Sequence, residues 1–195
     1  MSKKNLIQSL LVELSHKSVG VPEFLKLAEE NPDIIDFLNF KTLEELSEYV
    51  YEADYTEFNY LREEASRYLN KKHETIQKEI EEIVRSSQEL GIDFPILLDA
   101  FQKSKEIYLT KKIKDNLENT EANQIKKGQM DKVNILAKNY GKKDPKKLKI
   151  ELSSDNYDRP LVLNYDGRYY LVAGNTRLAT ASAMGIKPKI YLATL

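Results

Sequence analysis

Apolar residues recur every three or four positions through the first hundred residues, with polar and charged residues between them. This spacing places apolar side chains on one face of a helix and predicts a series of amphipathic helices. Start signals divide the series, because proline favours the first turn of a helix and Thr-x-x-Glu forms a capping box. The predicted helices comprise residues 3–16 and three more that begin at Pro22, at Pro32 and at Thr42, which has Glu45 three positions later.

The longest helical pattern runs from about Glu57 to Leu90 and contains neither glycine nor proline. Its apolar residues form one narrow stripe, which is typical of a packing surface between helices. Roughly thirty helical residues span about 50 Å, more than a small domain covers. We therefore expect another copy of the chain or a protein partner to bury the stripe, with the short helices of residues 3–53 as the alternative cover. The stripe consists of Phe58, Leu61, Ala65, Tyr68, Leu69, Ile76, Ile80, Ile83 and Val84.

The pattern changes near Lys105. The sequence EIYLTKKI is rich in β-branched and aromatic residues and predicts a strand, and residues 115–129 predict a polar loop. The sequence MDKVNILAKNYG predicts a helix ended by Gly141, and residues 142–160 predict a basic surface connector.

The end of the chain predicts a strand, a turn, a second strand, a helix and a last strand. Asp166-Gly167 is a strong hairpin signal, and the helix through Arg177 ends at Gly185. The resulting fold class is α+β. We predict an acidic all-helical region over residues 1–104 and a small basic mixed-sheet domain over residues 105–195.

Composition narrows the chemistry. The chain has no cysteine and only two histidines, which excludes thiol chemistry and a zinc site built on histidine alone. Glu13 and His16 interrupt the apolar run near the N-terminus, so we expect no signal peptide, no membrane span and a cytoplasmic location.

The net charge of −1 conceals a division between the two halves. Residues 1–100 carry 11 basic and 21 acidic side chains, a balance of −10, whereas residues 101–195 carry 19 and 10, a balance of +9. A basic half favours polyanionic partners such as nucleotides, nucleic acid or an acidic protein surface.

The sequence Gly-Asn-Thr-Arg at 174–177 lies where the second hairpin strand gives way to the helix. Gly174 permits a tight turn, and the first N–H groups of a helix have no intrahelical acceptor. An arginine in this turn opposes the positive end of the helix dipole unless an anion joins it. We therefore expect Arg177 to point past the helix end and bind phosphate, with Asn175 or Thr176 bonding an oxygen. The alternative interpretation is that Asn175 caps the helix and that the turn binds no ligand.

Roughly the last 35 residues resemble the core of the ParB/sulfiredoxin superfamily, most closely its phage-encoded members. The shared order is a proline, an apolar strand, a turn glycine, a second strand, Gly-x-x-Arg opening an alanine-rich helix, a glycine and a final strand. A less complete resemblance extends back to Ile107, and the first hundred residues are not covered. The matching residues are Pro160, Leu161–Leu163, Gly167, Tyr170–Val172, Gly174–Arg177, Ala179–Ala183, Gly185 and Ile190–Leu192.

The resemblance implies that the Gly174–Arg177 turn contacts nucleotide phosphates. Sulfiredoxins carry a cysteine in this box, so their redox chemistry is excluded here. The free-serine kinases of the superfamily carry Asp-Gly-His-Thr-Arg, where this chain has Ala-Gly-Asn-Thr-Arg at 173–177.

Three functions are open on these observations. The first is nucleotide binding at Gly174, Asn175, Thr176 and Arg177, with hydrolysis or phosphate transfer as an extension. The second is a DNA-binding or nuclease-like module that uses the basic half, with nuclease activity the less favoured. The third is a non-catalytic interaction protein that acts through its helical half.

Phosphoryl transfer would require carboxylates, to hold Mg²⁺ and to act as general base. Glu118 is the candidate, with Asp115 and Glu121 as neighbours, and Arg177 is the second catalytic candidate. The expected ligand is a nucleoside triphosphate of undefined base, with or without Mg²⁺, and no residue is assigned as a protein metal ligand.

Overall fold

The computed structural model describes residues 20–140 and 144–195. The chain forms two compact units, which divide after Lys72. This division lies inside one continuous helix, Tyr55–Lys78. The position predicted from the sequence, between residues 104 and 105, falls within the second unit.

The described part of the first unit is helical. Helix α1 comprises residues 20–30, α2 Asp33–Phe37, α3 Leu43–Glu52 and α4 Tyr55–Lys78. The Thr42 half of the predicted capping box is confirmed, since the main-chain N–H of Glu45 donates to Thr42 Oγ1 at 3.1 Å. The Glu45 carboxylate accepts from the N–H of Lys41 at 2.8 Å, one residue before the N-cap. The helix predicted at residues 3–16 lies outside the described residues.

The core of the first unit combines apolar packing with one buried ion pair. Phe58, Ala65 and Tyr68 of α4 are buried among apolar residues of α1, α2 and α3. Lys72 Nζ lies 2.8 Å from Asp33 Oδ2, and the Tyr68 hydroxyl donates to the same oxygen at 2.9 Å. Burial of these charges is tolerated because each has a hydrogen-bonded partner.

The second unit is built on a five-stranded mixed sheet in the order β1-β5-β3-β4-β2. Strands β1 and β5 pair antiparallel, as do β3 and β4, whereas β3 with β5 and β2 with β4 are parallel. The predicted α+β class with a helical region and a small sheet is therefore confirmed. The strands are β1 Lys105–Tyr108, β2 Leu117–Glu118, β3 Leu161–Tyr165, β4 Arg168–Ala173 and β5 Lys189–Thr194; the helices are α5 Ile80–Leu90, α6 Phe94–Gln102, α7 Lys111–Asp115, α8 Met130–Tyr140, α9 Pro145–Ser153 and α10 Asn175–Met184, with a short 3-10 turn at Ala122–Gln124.

Both faces of this sheet carry helices. Val162, Leu171 and Ile190 pack on one side in a cluster with residues of α7, α8 and α10. Leu163 and Tyr191 pack on the other side in a cluster with residues of α5 and α6. Helices α5 and α6 therefore belong to the sheet's own core, which is why the predicted division at 104/105 does not separate two units.

Two local predictions were wrong. The strand predicted over EIYLTKKI ends at Tyr108, because Thr110 accepts a hydrogen bond from the N–H of Ile113 and starts α7. Part of the predicted connector, residues 142–160, is helix α9, which Asp144 caps and whose Leu148 and Leu152 are buried. Gly141, predicted to end the preceding helix, lies outside the described residues.

The predicted long helix is two helices, and most of its stripe is covered within the chain, whereas Ile80 is half-buried and Val84 is exposed. Helix α4 ends at Lys78 and α5 begins at Ile80. The stripe residues of α4 up to Leu69 pack into the helical core of the first unit. Ile76 and Ile83 are buried beside the sheet. The stripe thus requires neither a second copy nor a partner to bury it. Within the described residues, no helix is both long enough and apolar enough to cross a membrane.

We expect Ile83→Ala to lower the free energy of unfolding by about 2–5 kcal/mol, because it opens a cavity beneath the sheet. Urea unfolding at two protein concentrations, about 1 μM and about ten times higher, should give the same loss of unfolding free energy. Val84→Ala, at the neighbouring exposed position, should cost about 1 kcal/mol or less. A loss for Ile83→Ala that grows with protein concentration would instead show that the stripe is buried by self-association.

Candidate functional site

The candidate site lies at the sheet edge where the parallel strands β2 and β4 both end. Gly174 and α10 follow β4, and Thr120 follows β2. The Thr120 hydroxyl donates to Asn175 Oδ1 at 2.7 Å and accepts from the main-chain N–H of Ala122 at 3.0 Å. The loop after β2 is thereby attached to the first turn of α10.

Gly174 is required by its conformation and by its neighbour. Its φ is +102°, and an added Cβ would lie 2.8 Å from Pro160 Cβ and 2.9 Å from Pro160 Cα. The space that a side chain at position 174 would need is therefore occupied by Pro160. Gly174 also occupies the N-cap position, with Asn175 as the first helical residue, so Asn175 is not the cap that the alternative interpretation assumed.

The guanidinium of Arg177 turns into the protein, so the expectation that it points past the helix end is wrong. The side chain is 3% exposed and forms an ion pair with Glu79. Its Nη1 donates to the main-chain carbonyl oxygen of Asp158 at 2.8 Å. The carboxylate of Glu79 supplies the anion that an arginine at the positive end of a helix requires.

Sequence reasoning did not identify Glu79. A glutamate within an uninterrupted helical pattern is usually a solvated side chain, and only the break between α4 and α5 places it beside α10. The preceding residue reinforces the contact, since Lys78 Nζ lies 3.2 Å from Asp158 Oδ1.

A second buried arginine lies in the segment that leads into β3. Arg159 forms an ion pair with Glu106 and stacks 4.4 Å from the centre of the Tyr157 ring. Burial by itself lowers the pKa of Arg159, but the hydrogen bond and the charge of Glu106 raise it above its usual value. Burial raises the pKa of the Tyr157 hydroxyl, although the Arg159 charge opposes this. Both residues hold this segment in place beside Pro160.

The first N–H groups of α10 have no acceptor within the helix. The N–H groups of Asn175, Thr176 and Arg177 precede the first residue whose N–H binds within the helix, Leu178, which donates to the carbonyl oxygen of Gly174. Asn175 and Thr176 are partly exposed. This end of α10 can accept an anion through main-chain donors.

The predicted carboxylates are exposed side chains in or near β2. Glu118 is exposed in β2 opposite Tyr170, so the distance along β4 to Gly174 is about 13 Å. Asp115 forms an exposed ion pair with Lys111, and Glu121 is exposed.

The described residues contain no group of three or more His, Asp or Glu side chains that could hold a metal ion.

A groove of about 430 Å³ in the first unit lies between α1 and α4, and none of the predicted site residues lines it. Its lining consists of Gly20, Glu23, Phe24, Leu27, Arg62 and Ser66.

No protein-family model, curated protein or solved structure matches the chain. The resemblance to the ParB/sulfiredoxin superfamily therefore rests on the residues described above.

Gly174→Ala should destabilise the protein more than Gly128→Ala does. Gly128 has a similar φ of +89°, but an added Cβ there meets nothing within 4 Å. The control should cost about 1–2 kcal/mol for the left-handed backbone, and Gly174→Ala about 1–3 kcal/mol more for the contact with Pro160. Urea unfolding of both variants measures the difference. Equal costs would show that Pro160 moves away freely.

Arg177→Ala should lower the free energy of unfolding by about 3–5 kcal/mol, because it leaves the Glu79 carboxylate without its partner. This revises the expectation that the substitution leaves the fold intact. Arg168→Ala, at an exposed position of β4, should change the stability by about 0.5 kcal/mol or less. Similar small losses for both variants in urea unfolding would mean that the Arg177 ion pair contributes little.

Proposed function

We propose that this protein binds the phosphates of a nucleoside triphosphate at the first turn of α10. The observation that carries the proposal is the junction of β4 and α10, where Gly174 is the N-cap and no side chain caps the helix. A helix N-terminus with free N–H groups and a positive dipole is a favourable environment for phosphate. The ligand would be held chiefly by the main chain of Asn175 and Thr176, which are partly exposed.

Side chains around the turn support the same assignment. The Thr176 residue is partly exposed, so its hydroxyl can donate to a phosphate oxygen. Thr120 holds Asn175 and so positions the main chain of the turn. The order of elements along the chain is the one that the ParB/sulfiredoxin resemblance implies: the β3–β4 hairpin, then α10, then β5.

Hydrolysis or phosphate transfer is a further proposal that depends on nucleotide binding. Glu118 is the predicted catalytic carboxylate, and about 13 Å of strand separates its register position from Gly174. A triphosphate that extends from the turn along the β2 edge would bring its terminal phosphate toward this residue. Binding is therefore the function to test first, and turnover only when binding is established.

DNA binding is the second candidate, and exposed lysines favour it. Lys146, Lys147 and Lys149 are exposed on α9, where they can bind phosphates of a nucleic-acid backbone. Residues 73–195 carry 21 basic and 17 acidic side chains, a balance of +4. The second unit is therefore less basic than the half of the chain that suggested this partner.

A thermal-shift screen on the full chain tests nucleotide binding. The probes are the four common ribonucleoside triphosphates and inorganic triphosphate, each with and without Mg²⁺. A ligand at 100 times its dissociation constant should stabilise the fold by about 2.7 kcal/mol, a readily visible shift. Thr176→Val should weaken the shift, because it removes one donor at the turn. The same substitution at Thr194, exposed at the far end of β5, should not.

Each result decides between the candidates. Absence of a shift with every probe would reject the nucleotide proposal. Binding to a short DNA duplex in fluorescence anisotropy, weakening steeply with salt, would then support the second candidate. Equal losses for Thr176→Val and Thr194→Val would place the ligand away from α10.

A further inference from the structure

Two ion pairs join the break between α4 and α5 to the surroundings of the α10 turn. Lys78 Nζ lies 3.2 Å from Asp158 Oδ1, and Glu79 binds Arg177. Arg177 also donates to the main-chain carbonyl oxygen of Asp158 at 2.8 Å. The last residue of α4 and the residue after it are thus both attached to the edge where we propose that phosphate binds.

The helix breaks at Glu79 although no local signal requires it. Residues 57–90 contain neither glycine nor proline, and Glu79 has a φ of −106° and a ψ of 14°. Its carboxylate makes no capping hydrogen bond to α5, although it precedes the first residue of that helix. The carboxylate is instead committed to Arg177, 98 positions later in the sequence.

A carboxylate and a phosphate satisfy a guanidinium in the same way, because both accept charge-assisted hydrogen bonds through paired oxygens. The side chain of Arg177 is 3% exposed and that of Glu79 is 15% exposed. The pair is therefore largely removed from water, and the cation has little contact with solvent. A phosphate at the first turn of α10 can bind this guanidinium only when Arg177 leaves Glu79 and turns toward the helix end.

We propose that Glu79 is a built-in competitor of the bound phosphate and determines which phosphates the turn accepts. The inference rests on the proposed function. Ligand binding transfers Arg177 from the Glu79 carboxylate to a phosphate oxygen, and no covalent bond changes. Because one ion pair is lost before another forms, a ligand with several charges, such as a triphosphate, is favoured over inorganic phosphate. Glu79 is a positioning residue, since it acts on the ligand through Arg177.

The second buried arginine pair of the same unit is a matched control. Arg159 and Glu106 have side-chain exposures of 7% and 15%, close to those of Arg177 and Glu79. Arg159 lies before β3, and its Nη1 donates to the main-chain carbonyl of Tyr157. Neutralising Glu106 therefore disturbs an ion pair of similar burial without releasing a cation in the α10 turn.

Isothermal titration calorimetry with inorganic triphosphate on the full-length chain tests the inference. The proteins are the wild type, Glu79→Gln and Glu106→Gln, and inorganic phosphate is the second titrant. We expect Glu79→Gln to bind triphosphate about tenfold more tightly, the scale of one charge-assisted hydrogen bond. Its preference for triphosphate over phosphate should fall by a similar factor, and Glu106→Gln should match the wild type.

Wild-type binding with an unchanged or weakened affinity in Glu79→Gln would overturn the inference and leave the proposed function standing. Equal tightening by both substitutions would also overturn it, because the effect would then be one of net charge. Absence of binding in all three proteins would reject the proposed function and the inference together.

A measurement on the wild type guards against a variant that does not fold. In ¹³C NMR of carboxyl-labelled glutamate, triphosphate should move the Glu79 signal and leave the Glu106 signal in place. A stationary Glu79 signal while triphosphate binds would overturn the inference.

Discussion

The central strands β3, β4 and β5 carry apolar side chains on both faces, and the rest of the second unit depends on this constraint. A sheet of this kind is stable only when helices cover both sides. Helices α7, α8 and α10 contribute to one cluster and α5 and α6 to the other. The requirement for a second layer draws part of the helical half of the chain into the sheet's core. It also explains why the compact units divide inside α4 and not where the first strand begins.

Attachment of α5 to the sheet has an electrostatic consequence. Its start places the carboxylate of Glu79 beside the first turn of α10, where Arg177 needs an anion. The pair is almost removed from solvent, so each charge depends on the other far more than a surface pair would. Packing and ion pairing therefore act on the same junction, and a change at one is expected to affect the other.

This junction also determines which hydrogen-bond donors of the candidate site are available to an anion. A phosphate site that relied on a free arginine would bind any accessible anion, whereas here the arginine already has an intramolecular partner. Main-chain N–H groups are then the donors that remain without competition, and the side chain becomes available only by exchange. For the phosphate site that we propose, this exchange would favour a highly charged ligand such as a triphosphate over inorganic phosphate.

The sequence by itself determined the local structure at the end of the chain. The Asp166-Gly167 turn, with both residues at positive φ, and the helix from Asn175 to Met184 follow from short-range steric rules that operate wherever the residues occur. The α+β class followed for the same reason. Periodicity could not reveal that α9 buries Leu148 and Leu152, because a lysine-rich segment with two prolines has the composition of a surface connector.

Only the tertiary structure decided the break at Glu79, the inward turn of Arg177 and the attachment of α5 and α6 to the sheet. Each depends on partners distant in the sequence, such as Glu79 and Arg177, and no local pattern encodes which carboxylate meets which guanidinium. Local sterics act between neighbours in the chain and can be read residue by residue, whereas burial and ion pairing act between segments that meet only when the chain has folded.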